Sequence, residues 1–155
     1  MIRNGVIVAV AAALLMAPAF ADPFCDGVNA ALRAPLGFEA YRIGAASMQD
    51  DGSKYWALSV TLSGATHCAV HSYADGSDGL DCDFPAKKWM DKDTINALGD
   101  AVAACVPGAK LLPAYDSTGL RTYEVPTPAG RSPATIAISA RMLATATLMS
   151  ISRKD

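Results

Sequence analysis

Two histidines and two tryptophans in 155 residues leave little material for the commoner catalytic signatures. There is no G-x-S-x-G elbow, no S-x-x-K, no H-E-x-x-H and no phosphate-binding glycine loop, so no motif announces a hydrolase or a nucleotide-dependent enzyme. There is no C-x-x-C pair either, and the four cysteines, Cys25, Cys68, Cys82 and Cys105, lie too far apart for that class of zinc or redox site. Positive charge is short as well, with 13 lysines and arginines facing 15 acids. A chain without a basic stripe lacks the electrostatic footprint of a nucleic-acid binder and the cationic face of a membrane-surface helix. Internal repeats and low-complexity segments are missing.

What is present begins with an address. Arg3, an uncharged apolar run from Gly5 to Met16 and the small-residue ending Ala19-Phe20-Ala21 read as a secretory signal peptide over 1–21, cleaved after Ala21. The run is shorter than the ~20 apolar residues a spanning helix needs. Pro23 and Phe24 before Cys25 are unlike the small residues of a lipoprotein signal, so a soluble product, periplasmic or secreted, is expected. Removal of the leader leaves 12 cations against 15 acids. The remaining residues, 22–155, have the length of one domain with one core.

Cysteines that reach an oxidising compartment are paired, and the hydrophobic pattern chooses among the three pairings. Asp22-Pro23 supplies an N-cap and a first-turn proline, and Phe24, Val28, Ala31 and Leu32 share a helical face, which predicts a helix over 23–34. Ile95, Leu98, Val102 and Cys105 form the stripe of a second helix over 94–106, capped by Asp91 and Asp93 and ended by Pro107-Gly108. Strand character runs over 39–47 and 55–63, and again over 67–73 and 80–84, where the turn-forming "ADGSDG" makes a hairpin. Pairing Val70 with Leu80 sets Cys68 opposite Cys82, near enough for a disulfide. Cys25 then joins Cys105 between the helices. Further strands are expected at "KLLPAY" and "LRTYEV", joined at 116–119. The stretch from Ala134 reads as two strands broken near 141–143, because its threonines, serines and isoleucines favour a pleated surface. The predicted architecture is α+β: two helices packed on one mainly antiparallel β-sheet, with disulfides Cys25–Cys105 and Cys68–Cys82.

The histidines, with the aspartates near them, are the natural place to look for chemistry. His67 and His71 on a strand stand roughly 13 Å apart, so one ion does not take both. "GSDGLDCDF" resembles a single turn of a calcium-binding repeat that works only when stacked in series. Both imidazoles are expected on one exposed strand face, away from the sulfurs, with His67 paired to Asp83 as a surface ion pair. "FPAKKWMDKD" sets Trp89 among Lys87, Lys88 and Lys92; Trp89 reads first as a lid on the core, and otherwise as an anchor for a partner. The loops at 115–123 and 128–133 read as connecting structure.

These observations support a non-enzymatic exported binding module of the bacterial cell envelope, with an inhibitor, immunity or accessory role. Its candidate contact residues are Trp89, Lys87, Lys88, His67 and Asp83. The expected partner is a protein in the envelope or outside the cell, with no nucleic acid, no cofactor and no membrane insertion after cleavage. The alternative is a small metal-dependent or hydrolytic enzyme centred on His67, His71 and the nearby aspartates.

Overall fold

The computed structural model describes residues 22–113, 120–128, 132–141 and 144–153. The expected leader and the expected joint at 116–119 lie outside these residues. Eight strands form one sheet in the order β1-β2-β3-β4-β8-β7-β6-β5, and every neighbouring pair is antiparallel. The strands are β1 Arg42–Met48, β2 Lys54–Leu58, β3 His67–Ser72, β4 Asp78–Pro85, β5 Lys110–Leu111, β6 Arg121–Val125, β7 Ala134–Ala140 and β8 Ala146–Arg153. Among the described residues, two α-helices, α1 Pro23–Arg33 and α2 Lys92–Cys105, and a short 3₁₀ segment, Leu36–Tyr41, complete the elements. The α+β expectation therefore holds in its coarse form, with the sheet dominant and the helices few and small.

Alternation decides which face of the sheet is covered. Along β7 and β8 the buried residues are Ala134, Ile136 and Ile138, then Thr147, Met149, Ile151 and Arg153, with partly exposed residues between them. Cys68, Val70, Leu80, Cys82 and Phe84 continue this buried face across β3 and β4, where they join Phe24, Val28, Ile95 and Val102 of the helices. Fully burying a residue of the valine–isoleucine–phenylalanine class contributes about 1.5–3 kcal/mol, so this layer supplies most of the driving force.

Helix α1 starts as the sequence implies, with the Asp22 carboxylate accepting from the Phe24 amide at 2.9 Å. Its other end depends on a distant residue: buried Arg153 donates to the carbonyls of Leu32, Ala34 and Pro35, supplying partners to acceptors that a helix C-terminus leaves open. The same guanidinium lies 4.7 Å from the ring centre of Phe38, a fully buried residue held in the left-handed region at φ 50°. The chain is thus turned into the 3₁₀ segment, and β1 begins at Arg42 rather than at 39. Asn29 Nδ2 bridges the carbonyls of Cys25 and Cys105, alongside the Cys25–Cys105 disulfide. Helix α2 is fixed from the sheet side by Arg121, which donates to the Asn96 carbonyl at 3.0 Å and to Asp100 at 2.8 Å. Gly99 makes room for it, since a Cβ there would stand 2.7 Å from Arg121 Nε.

The predicted hairpin register is correct: His67 pairs with Asp83, Cys68 with Cys82 and Val70 with Leu80, and Cys68–Cys82 is bonded. The second predicted strand is too long. β2 stops at Leu58, Ser59 turns its amide to the Tyr41 carbonyl, and Val60 is left exposed. The two final strands form as expected, and positions 142–143 of the expected break lie outside the described residues.

Candidate functional sites

With both helices on one side, the opposite face of the sheet carries its own residues: Tyr55 and Ala57 of β2, His67, Ala69 and His71 of β3, Asp81 and Asp83 of β4, and Ser150 of β8. Strand periodicity puts them there, each alternating with a core residue. Ala57 and Ala69 are direct cross-strand partners, and their methyl groups leave a depression between larger neighbours. The result is a cleft of about 350 Å³ lined by Ile43, Tyr55, His67, Asp81, Asp83 and Arg141 together with the alanine floor.

At the Tyr55 end the polar groups are tightly organised. The His71 imidazole is sandwiched between Tyr55 and Tyr73, with ring centres 3.8 and 3.6 Å away. Its Nδ1 stands 3.5 Å from Asp81 Oδ2. The Tyr73 hydroxyl donates to that same oxygen at 3.3 Å, and Ser150 Oγ donates to Asp81 Oδ1 at 2.6 Å. Burial, reinforced by the Asp81 charge, pushes the Tyr73 phenol up to about 12, and burial raises Tyr55 in the same direction. The carboxylate is the hub of this cluster. A hydrolytic triad needs the imidazole between hydroxyl and carboxylate so that it can take the hydroxyl proton; here Ser150 gives its proton to Asp81 instead.

Two expectations about the histidines need correction. His67 is exposed but His71 is buried, because β2 folds Tyr55 over it from one side and Tyr73 closes the other. The His67–Asp83 ion pair does not form, although the two residues are register partners. Asp83 Oδ1 instead faces Arg141 Nη1 at 3.2 Å. Arg141 sits just after β7, at a position that sequence reasoning treated only as a strand break. A signal for it existed, since it is the one charged residue between Ala134 and Ser152. Among the described residues, no three His, Cys, Asp or Glu side chains converge as metal ligands do.

The second site is the loop between β4 and α2. The reading of Trp89 as a lid on the core is overturned, since this indole is 60% exposed. Met90 beside it holds φ 53°, a left-handed backbone that is rare for a non-glycine residue. Asp91, itself buried, braces this shape by accepting from the Lys87 amide and the Thr94 hydroxyl, both at 3.0 Å. The Lys87 amide bond holds the Asp91 carboxyl below its ordinary value, with the Thr94 hydroxyl adding to the effect. Lys87 and Lys88, just before Trp89 in the chain, are both exposed. The loop is thus a shaped projection carrying one indole and two ammonium groups.

No family model, curated protein or solved structure matches the chain. Among the described residues, no helix is long and apolar enough to cross a membrane. The two disulfides are compatible with an exported protein.

Proposed function

We propose that the chain is an exported, non-enzymatic binding module of the cell envelope that docks on a protein partner through the Trp89 loop. In this reading residues 1–21 direct export and are removed after Ala21, and the disulfides form in the periplasm or outside the cell. An inhibitor, immunity or accessory role fits a small crosslinked scaffold of this kind.

The observation that carries the proposal is the exposed indole on a braced loop. An exposed tryptophan presents one of the largest apolar surfaces a side chain offers, and its N–H supplies direction. Interface hot spots are rich in this residue. Because the Asp91 bonds and the left-handed Met90 already fix the backbone, little ordering entropy remains to be lost on docking. Lys87 and Lys88 favour a partner whose pocket is rimmed by acids and steer the encounter more than they hold the complex.

The test replaces Trp89 with a photo-crosslinking benzoylphenylalanine in the full chain expressed in its own host, with the same substitution at exposed Ala97 as control. One discrete adduct is expected from position 89 and none from position 97. For the partner so identified, Trp89→Ala is expected to weaken binding at least ~30-fold, the size of a hot-spot loss. A folded, disulfide-bonded chain that gives no adduct at position 89 would overturn the proposal.

A further inference from the structure

We infer that the cleft on the open face of the sheet binds a guanidinium group carried on an apolar stem, and that the protein's own Arg141 competes for the same carboxylate. This inference is independent of the Trp89 reading, and its site is built from other strands.

The shape of the cleft is the first argument. Its volume of about 350 Å³ falls within the range of small-ligand sites, ~300–1,000 Å³. Ala57 and Ala69 form an apolar floor for a stem, and Tyr55 stands at one end as an aromatic wall backed by His71. A guanidinium is planar and weakly hydrated, so it stacks on such a wall where an ammonium would keep its water.

Charge is the second. Asp81 and Asp83 both line the cleft against one cation, Arg141, so the site favours a positive ligand and disfavours an anion. The two carboxylates differ in how far they are satisfied. Asp81 is engaged at both oxygens by Ser150, Tyr73 and His71. Asp83 has an ion contact with Arg141 at 3.2 Å, yet among the described residues its buried Oδ1 accepts no aligned hydrogen bond. The Arg141 side chain is 44% exposed. An ion pair half in water is weak and readily exchanged. A ligand guanidinium entering along the floor would meet Asp83 with the two-pronged geometry that Arg141 does not achieve from its turn.

The test uses the whole disulfide-bonded chain, titrated with Nα-acetyl-arginine methylamide and followed by amide NMR shifts at Ala57, Ala69 and Asp83. The neutral isostere, Nα-acetyl-citrulline methylamide, is expected to bind at least about tenfold more weakly, since it offers no charge to Asp83. Arg141→Ala is expected to tighten the arginine probe roughly fivefold or more, because the internal competitor is gone, while Asp83→Asn loosens it about tenfold. The lysine analogue is expected to bind more weakly than the arginine probe. Equal binding of arginine and citrulline probes, an Arg141→Ala variant no tighter than the parent, or a lysine probe that binds best would each overturn the inference. Arg141 lies at the surface just after β7 and outside the core cluster, so its removal leaves the fold intact and keeps the test decisive.

Discussion

Tyr73 shows how one side chain ties the open face to pH. Its phenol is raised from 10.0 to about 12, chiefly by burial and then by the Asp81 carboxylate. The unfolded chain loses this proton near pH 10, whereas the folded chain keeps it to about 12. Across that window the unfolded state has fewer protons bound, so stability is fully present below about pH 10 and declines as pH rises toward the folded value. Tyr73→Phe removes this proton and also the hydroxyl's bond to Asp81. At pH 8 the variant is expected to be less stable by about 1 kcal/mol, the usual worth of one such bond. Between pH 10 and 11 it should lose less stability than the parent. Urea midpoints measured across that range check both parts, and parallel pH slopes would show that the hydroxyl is not sheltered.

Among the elements, the two disulfides divide the work unequally. Cys25–Cys105 joins α1 to α2 over a sequence separation of 80, and Cys68–Cys82 joins adjacent strands over 14. Chain-entropy reasoning assigns them about 4.5 and about 3 kcal/mol, and residual hairpin structure in the unfolded chain reduces the shorter one further. Replacing Cys25 and Cys105 by alanine should therefore lower the urea midpoint more than replacing Cys68 and Cys82. The reverse order would mean that the hairpin crosslink constrains the unfolded chain far more than its loop length implies. Both pairings were legible in the sequence because each rests on local periodicity: an apolar helical stripe in one case, and alternation about a turn-forming cluster in the other. Where the reading failed, a distant contact had prevailed over composition. Residues 59–61 have strand character, yet Ser59 bonds Tyr41 and Leu62 tucks against Gly27, so the chain leaves the sheet early. The start of β1 is set by Phe38 under Arg153, a contact no local pattern encodes. Of the open-face site, the Asp81–Asp83–His67 side could be read from alternation. Arg141 stood out only as a lone charge, and neither its contact with Asp83 nor the Tyr55–His71–Tyr73 stack could be read, because they depend on how β2, β7 and β8 assemble around the hairpin.

At the scale of the whole molecule, the sheet is two four-stranded meanders, β1 to β4 and β5 to β8, with α2 carrying the chain from the centre to the far edge. They meet along β4 and β8, where Leu80 pairs with Ile151, Cys82 with Met149 and Phe84 with Thr147. Met149 and Ile151 are fully buried at this seam. Met149→Ala is expected to cost about 2–5 kcal/mol, as other core truncations do. The seam is long, and the Cys25–Cys105 bond spans both sides of it, so the chain should unfold as one unit. The same loss should then appear in amide exchange at Val70, which reports the first meander, and at Ile136, which reports the second. A loss confined to the second probe would mean that the meanders open separately. That outcome would bear on the cleft as well, because Asp83 belongs to β4 and Arg141 to the turn after β7. Its charged end exists only while the seam is closed, so a ligand that binds there stabilises the contact between the halves. In the Met149→Ala chain, the arginine probe should therefore raise the unfolding midpoint reported by both meanders together.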